Sequence, residues 1–60
     1  MDRLQIKRIR LTAHLMQFEL AKILGVSTCT VSAWETGRKK ISIPNQRKLI
    51  EFCHKYEIEI

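Results

Sequence analysis

The chain has 60 residues, of which 45% are apolar and 28% are charged, a composition typical of one small folded domain rather than of a disordered segment. No apolar run approaches the roughly 20 residues that a membrane-spanning helix requires, and the first residues lack the layout of a signal peptide, so we expect a soluble cytoplasmic protein. Eleven lysines and arginines against six acids give a net charge of +5, which favours a polyanionic partner.

The cysteines and histidines do not form a metal-binding or disulfide pattern. Cys29 and Cys53 are too few for a disulfide framework, and with His14 and His54 they lack the spacing of a zinc site. We therefore expect no metal, no cofactor and no small-molecule ligand, with Cys29 as a reduced exposed thiol and Cys53 as a buried one. Catalysis is not expected either, because no nucleophile, base and orienting group converge in so small a domain.

The first predicted helix begins near Arg3 and ends between Thr12 and His14. Asp2, followed three residues later by Gln5, resembles a capping box. Because no glycine stands at the exit, the sequence predicts that His14 adopts the left-handed conformation that glycine would take without strain. The residues of this segment assigned to the surface without a role are Lys7, Arg8, Thr12 and His14.

Two short helices follow, and only about three residues separate them. The second predicted helix runs from Gln17 to a stop at Gly25, with apolar side chains at helical spacing between them. Ser27 can cap a third helix over residues 28–36, which a second glycine ends in the same way. A connection of this length forces a sharp crossing and holds both helices as one rigid unit, a helix-turn-helix over about residues 17–36.

A fourth helix and an alternating tail complete the single domain predicted over residues 1–60. Ser42 can cap this helix, with proline in the first turn, where the missing N–H has no effect. The tail, residues 57–60, continues an alternation typical of a β-strand, which could fold back on the first helix or pair with the tail of a second chain. The buried stripe of the fourth helix is predicted to consist of Leu49, Ile50, Cys53 and Tyr56.

The crossing of the second and third helices requires particular residues, and the sequence supplies them. Ala21 is small where the helices approach, and Gly25 permits the turn. Val31 and Trp34 fill the space between the helices. At these positions the sequence resembles the helix-turn-helix domains of the lambdoid phage repressor and Cro proteins, often called the XRE family. The resemblance covers about residues 6–50 through Ile9-Arg10, Gln17, Glu19-Leu20-Ala21, Leu24-Gly25-Val26-Ser27, Val31-Ser32 and Trp34-Glu35-Thr36-Gly37-Arg38.

The resemblance implies an all-α bundle of four helices, in which helices 2 and 3 form the helix-turn-helix and the family's fifth helix is absent. It implies a bacterial or phage-encoded regulator that binds double-stranded DNA sequence-specifically. One module reads only a few base pairs, so a homodimer on a partly symmetric operator is expected. Repression is the simplest mechanism, and activation or a switch role like that of Cro stays open. The candidates for the dimer contact are Phe52, Ile58 and Ile60.

The family's functional residues transfer to three sets of positions in this sequence. With Val31 and Trp34 facing inward, the helical period turns the base-reading positions outward, and these are Thr28, Cys29, Ser32 and Ala33. Arg10 and Glu35 are expected to form a structural ion pair that ties helix 1 to the end of helix 3. The resemblance assigns DNA phosphate contacts to Gln17, Ser27, Thr36, Arg38, Lys39 and Lys40.

A function of another class stays open beside DNA binding. The same helices could bind a protein, as in an antitoxin or a subunit of a larger regulatory complex. The base-reading set favours this alternative, because none of its members has the two-pronged donor geometry with which arginine addresses guanine or glutamine addresses adenine. The net charge and the run of residues 38–40 favour DNA.

Overall fold

The computed structural model describes residues 1–59, and within them it contains four helices and no strand. The all-α fold, the order of the helices and the starts of all four agree with prediction. None of the helices in the described range has the length and the apolar run that crossing a membrane requires. The helices are α1 (Arg3–Thr12), α2 (Gln17–Leu24), α3 (Thr28–Thr36) and α4 (Ile43–Lys55).

Three helices begin at a polar side chain that accepts a hydrogen bond from the backbone one turn further on. The Asp2 carboxylate accepts from the Gln5 N–H at 2.8 Å, and the Gln5 side chain accepts from the Asp2 N–H at 2.9 Å, which confirms the predicted capping box. Ser27 caps α3 and Ser42 caps α4, also as predicted. These local signals fix the helix starts because each satisfies an N–H group that has no partner inside the helix.

All four helices are followed by a residue in the left-handed conformation. Two of these residues are glycines, Gly25 (φ 72°) and Gly37 (φ 81°). The other two carry side chains, and they are His14 (φ 58°) and Glu57 (φ 54°), so the predicted conformation of His14 is confirmed. A Cβ destabilises the left-handed conformation by about 1–2 kcal/mol, which makes both residues positions where glycine fits better.

Replacing His14 with glycine is expected to stabilise the domain. The exit of α1 keeps its hydrogen bonds, from the His14 N–H to the Leu11 carbonyl and from the Leu15 N–H to the Arg10 carbonyl, both 3.0 Å. We expect a gain of about 1 kcal/mol in the free energy of unfolding and a melting temperature higher by about 4–8 °C. His14→Ala is the matched control, because it removes the imidazole and keeps the Cβ. Equal gains in both variants, measured by thermal unfolding, would contradict this explanation.

The hydrophobic core is formed by one face of each helix. Val31 and Trp34 of α3 are 0% and 3% exposed, so the predicted inward face of this helix is confirmed. Lys48 of α4 adds a polar tie, since its Nζ donates to the Leu24 carbonyl at the end of α2 over 3.3 Å. The other buried members of the core are Ile6, Ile9, Leu20, Ala21, Leu24, Ile41, Leu49 and Cys53.

The predicted stripe of α4 is correct at Leu49 and Cys53 and wrong at Tyr56. Ile50 is half-buried, whereas Tyr56 is 58% exposed. The helix ends at Lys55, and the Tyr56 ring lies against the ring of Phe52, with 4.9 Å between their centroids. The left-handed turn that follows brings the next apolar residue of the chain onto the core in its place.

That next apolar residue is Ile58, and residues 57–59 do not form a strand despite the alternation of their side chains. The Ile58 N–H donates to the Cys53 carbonyl at 2.8 Å, which closes the end of α4 and reverses the chain, and Ile58 packs against the core. Ile58 lines one shallow depression together with Thr12 and Ala13, next to the end of α1. Alternation alone does not make a strand without a partner to pair with. Ile60 lies outside the described residues.

Candidate nucleic-acid interface

The exposed face of α3 presents small polar side chains in its first turn. Thr28 and Cys29 are exposed and Ser32 is half-buried. The prediction that Ala33 faces outward is wrong, because Ala33 is only 6% exposed. The Lys39 N–H donates to the Ala33 carbonyl at 3.2 Å, so the loop after α3 folds back over this residue. Ala33 therefore forms the floor of a shallow groove between α3 and that loop.

The first turn of α3 is held in place by Ser27. The Ser27 Oγ accepts from the Thr30 N–H at 3.1 Å and lies 2.9 Å from the Thr30 hydroxyl oxygen. The Ser27 oxygen is thus engaged in the cap as an acceptor, while Ser27 itself is exposed. The positive end of the α3 dipole meets the surface beside Thr28 and Cys29, where a negatively charged or hydrogen-bond-accepting ligand is favoured.

The basic loop, residues 38–40, follows α3 directly and is exposed along its whole length. The Thr36 hydroxyl donates to the Ser32 carbonyl at 2.9 Å, and its oxygen accepts from the Arg38 Nε at 3.4 Å. Thr36 is therefore engaged within the end of the helix. Since the Lys39 N–H also donates to the Ala33 carbonyl, the backbone of the loop turns back against α3, and Arg38 and Lys39 line the groove beside its exposed face.

Arg10 of α1 and Glu35 of α3 form a two-pronged ion pair. The Arg10 Nε donates to Glu35 Oε2 at 2.7 Å and Nη2 donates to Oε1 at 2.8 Å. Nη1 donates to the Leu15 carbonyl at 2.9 Å, and the Gln17 amide donates to Glu35 Oε1 at 3.3 Å. The two charged side chains are 11% and 4% exposed. The pair thereby joins α1, α3 and the start of α2.

The pair also controls the ionisation of both members. Burial raises the pKa of Glu35 and is the largest single influence, but the hydrogen bonds from Arg10 and Gln17, helped by the charges of Arg10 and Lys7, outweigh it and lower that pKa. The hydrogen bond with Glu35 raises the pKa of Arg10. Both groups are charged at neutral pH, so the link between the helices is ionic under ordinary conditions.

Gln17 is the first residue of α2, next to this ion pair. Its side-chain amide donates one hydrogen bond to the Glu35 carboxylate. Its backbone N–H lies in the first turn of α2, where it has no partner inside the helix. The cap position before it holds Met16, whose N–H donates to the Glu19 carboxylate at 2.8 Å. The start of α2 is therefore fixed from Glu19, and the remaining donors of Gln17 can serve an external acceptor.

The sequence profile of the helix-turn-helix family HTH_3 matches residues 6–60. The chain belongs to this helix-turn-helix family. No curated protein and no solved structure matches it. The resemblance to the lambdoid repressor and Cro domains is thereby confirmed, and the chain is a DNA-binding regulator of transcription. Within this helix-turn-helix domain α2 and α3 are the paired helices, and α3 stands where the family places its recognition helix.

The net charge of the helix-turn-helix domain is concentrated in its first two thirds. Residues 1–40 contain eight of the eleven lysines and arginines but only three of the six acids, so they carry the whole charge of +5. In residues 41–60 the positive and negative charges are equal in number. The part of the chain that contains α3 and the basic loop is therefore the part that attracts a polyanion.

A second exposed surface of the helix-turn-helix domain is apolar and shares no residue with the exposed face of α3. Phe18, Ile23 and Tyr56 are 58%, 49% and 58% exposed, and shallow depressions on α2 and α4 meet at Ile23. Phe18 and Ile23 lie on either side of the buried stripe of α2, a pattern that is visible in the sequence. We name this the Ile23 surface, and its members are Leu15, Phe18, Ile23, Phe52, Tyr56 and Ile58.

The two thiols are free, exposed at Cys29 and buried at Cys53, as predicted. Burial raises the pKa of the Cys53 thiol, which keeps it protonated. Between residues 1 and 59 no three His, Cys, Asp or Glu side chains are grouped closely enough to hold a metal ion.

Proposed function

We propose that residues 1–60 act as a single domain that represses transcription in the bacterial cytoplasm by binding, as a homodimer, to a partly symmetric operator. The observation that supports this most directly is the surface of α3, whose exposed first turn lies at a capped helix start beside three exposed cations. In this proposal α3 enters the major groove, and a bound dimer represses by covering DNA that polymerase needs.

The proposed base-reading residues are Thr28, Cys29 and Ser32. Threonine offers a methyl group that suits the thymine methyl, and the hydroxyl groups can bond either a base edge or a phosphate. Ala33 lies below them and is removed from the set by its burial. Because none of these three side chains is a two-pronged donor, discrimination between bases depends on methyl contacts, bridging waters and the deformability of the DNA.

The proposed phosphate contacts come from Gln17 and from the basic loop, Arg38, Lys39 and Lys40. Thr36 is expected to contribute less, because its hydroxyl already donates to the Ser32 carbonyl. Ser27 stays in the proposed set, since its oxygen accepts in the cap and its O–H can donate to a phosphate. Titration with random duplex DNA at two salt concentrations separates this function from the protein-binding alternative. A DNA regulator binds more tightly at the lower salt concentration, whereas a module that binds only proteins shows no binding at either.

We propose further that the homodimer forms through the Ile23 surface. Contiguous exposed apolar surface is favourable to cover, and this part of the domain lies largely in the electrically balanced C-terminal third and in α2. Phe52 and Ile58, two of the three predicted dimer candidates, are half-buried members of it. A second copy that covers these residues removes their apolar surface from water, which is favourable by about 25 cal/mol for each Å² buried.

Ile23→Lys is expected to convert the protein to a monomer without unfolding it. A lysine at this half-exposed position remains solvated in the monomer but places an unpaired charge in the proposed contact. Leu4→Lys is the matched control, since Leu4 is 61% exposed on α1, outside the Ile23 surface. Sedimentation velocity measures the result. A dimer that persists in Ile23→Lys would exclude this surface as the contact.

A further inference from the structure

Two cations on one face of α1, Arg3 and Lys7, make no contact in the interface described above. Arg3, Lys7 and Arg10 are four and three residues apart, so the helical period places them along one face of α1. Arg10 is engaged with Glu35, and within residues 1–59 that is the only ion pair. Arg3 and Lys7 are both exposed and have no acidic partner there.

Arg3 lies against the end of α3. Its Cδ would be 3.3 Å from a Cβ placed on Gly37, and it lines one groove together with Lys39 and Lys40 of the basic loop. The acid of that groove, Asp2, accepts a hydrogen bond from the Gln5 N–H as the cap of α1. Arg3 thus extends the positive surface of the basic loop onto α1.

Lys7 lies one turn further along the same face, between Arg3 and Arg10. Its charge acts on the Glu35 carboxylate, which also accepts from Gln17 at the start of α2. The pair of Arg3 and Lys7, which we name the α1 edge, therefore lies on α1 between the groove shared with the basic loop and Arg10, whose partner Glu35 accepts from Gln17 at the start of α2.

We propose that the α1 edge is a further binding site for the phosphodiester backbone of DNA. It contacts phosphates that pass between the basic loop and the start of α2, and it adds affinity without reading bases, because long cationic side chains neutralise phosphates regardless of sequence. The proposal rests on the proposed function, since it requires DNA bound over α3.

Salt titrations of the variants Arg3→Gln and Lys7→Gln with random duplex DNA test the α1 edge. Each lost phosphate contact is expected to reduce the magnitude of the log–log salt slope by about 0.9 per chain and to weaken binding. Arg8→Gln is the matched control and is expected to retain the wild-type slope. Arg8 is exposed on the face of α1 that also carries the exposed Leu4 and Leu11. Arg3→Lys and Lys7→Arg keep the charge and are expected to restore the slope.

The outcomes distinguish this inference from the proposed function. Slopes of Arg3→Gln and Lys7→Gln equal to that of Arg8→Gln, with salt-dependent binding by the wild type, would overturn the α1 edge alone. Absence of salt-dependent binding by the wild type would overturn both. A readout on the unaltered protein makes the test independent of how the variants fold. When duplex DNA is added, the NMR signal of the Arg3 Nε–H is expected to shift, and the signal of the Arg8 Nε–H is expected to stay in place. Equal shifts of the two signals, or no shift of either, would overturn the inference.

Discussion

Glu35→Ala is expected to lower the free energy of unfolding by about 3–5 kcal/mol, because it leaves the Arg10 guanidinium without its ionic partner at a site where it is 11% exposed. The total free energy of unfolding of a domain of this length is only about 3–9 kcal/mol. The variant should therefore be partly or wholly unfolded at room temperature. Urea and thermal unfolding followed by circular dichroism measure the loss.

A double variant distinguishes two causes of the destabilisation, which are the cost of leaving the Arg10 charge unpaired and the loss of its attraction to Glu35. Arg10→Met combined with Glu35→Leu removes both charges and keeps apolar volume, so it is expected to recover most of the stability that Glu35→Ala loses. Glu35→Gln keeps the shape of the side chain and should lie between the two. A melting temperature of Glu35→Ala equal to that of the wild type would remove the pair from the account of stability.

The contribution of the pair should also depend on pH. The pKa of Glu35 is lowered in the folded protein, so its stabilisation is complete above the ordinary glutamate pKa of about 4.3 and is lost as the pH falls through the lowered folded value. The difference in unfolding free energy between wild type and Glu35→Gln should shrink over that acidic range. A difference that stays constant from about pH 7 to about pH 3 would contradict the ionic nature of the link.

Neutralising the basic loop is expected to have the largest effect on DNA binding. If Arg38, Lys39 and Lys40 each contact one phosphate, a dimer of the variant with glutamine at all three positions loses six contacts, and the slope of log affinity against log salt changes by about 5. The wild-type slope should then be about −5 or steeper, and affinity should fall by roughly a thousandfold or more at moderate salt. Fluorescence anisotropy with a labelled duplex measures both quantities.

Stability and charge must be controlled in that experiment. The three side chains are exposed, so the variant should melt close to the wild type. Arg38→Lys with Lys39→Arg and Lys40→Arg keeps the positive charge, and it should retain most of the slope. Equal slopes for the wild type and the neutralised variant would show that the loop does not contact phosphate.

The sequence predicted the helices well because their boundaries depend on local chemistry. Asp2 with Gln5, Ser27 and Ser42 each satisfy a nearby N–H group, and Gly25 ends α2 by a conformation that it adopts without strain. These signals act over three or four residues. They are therefore visible in the sequence before any tertiary structure is known.

The errors arose where one segment folds over another. The helical period placed Ala33 on the outer face of α3, but the return of Lys39 to the Ala33 carbonyl covers it. The alternation before Ile60 suggested a strand, but the left-handed Glu57 turns Ile58 onto the core instead. Periodicity gives the face of a residue and does not show what packs on that face.

Recognition of DNA by α3 can be tested by selecting bound sites from a random DNA library and determining the half-site spacing from the enriched sequences. We expect a partly symmetric site whose half-sites are about one helical turn, or a multiple of it, apart. We also expect that changing Thr28 or Cys29 alters the enriched bases while the spacing stays. Recovery of no enriched sequence, or of the same sequence from the wild type and from α3 variants, would contradict the assignment of α3 as the helix that recognises DNA.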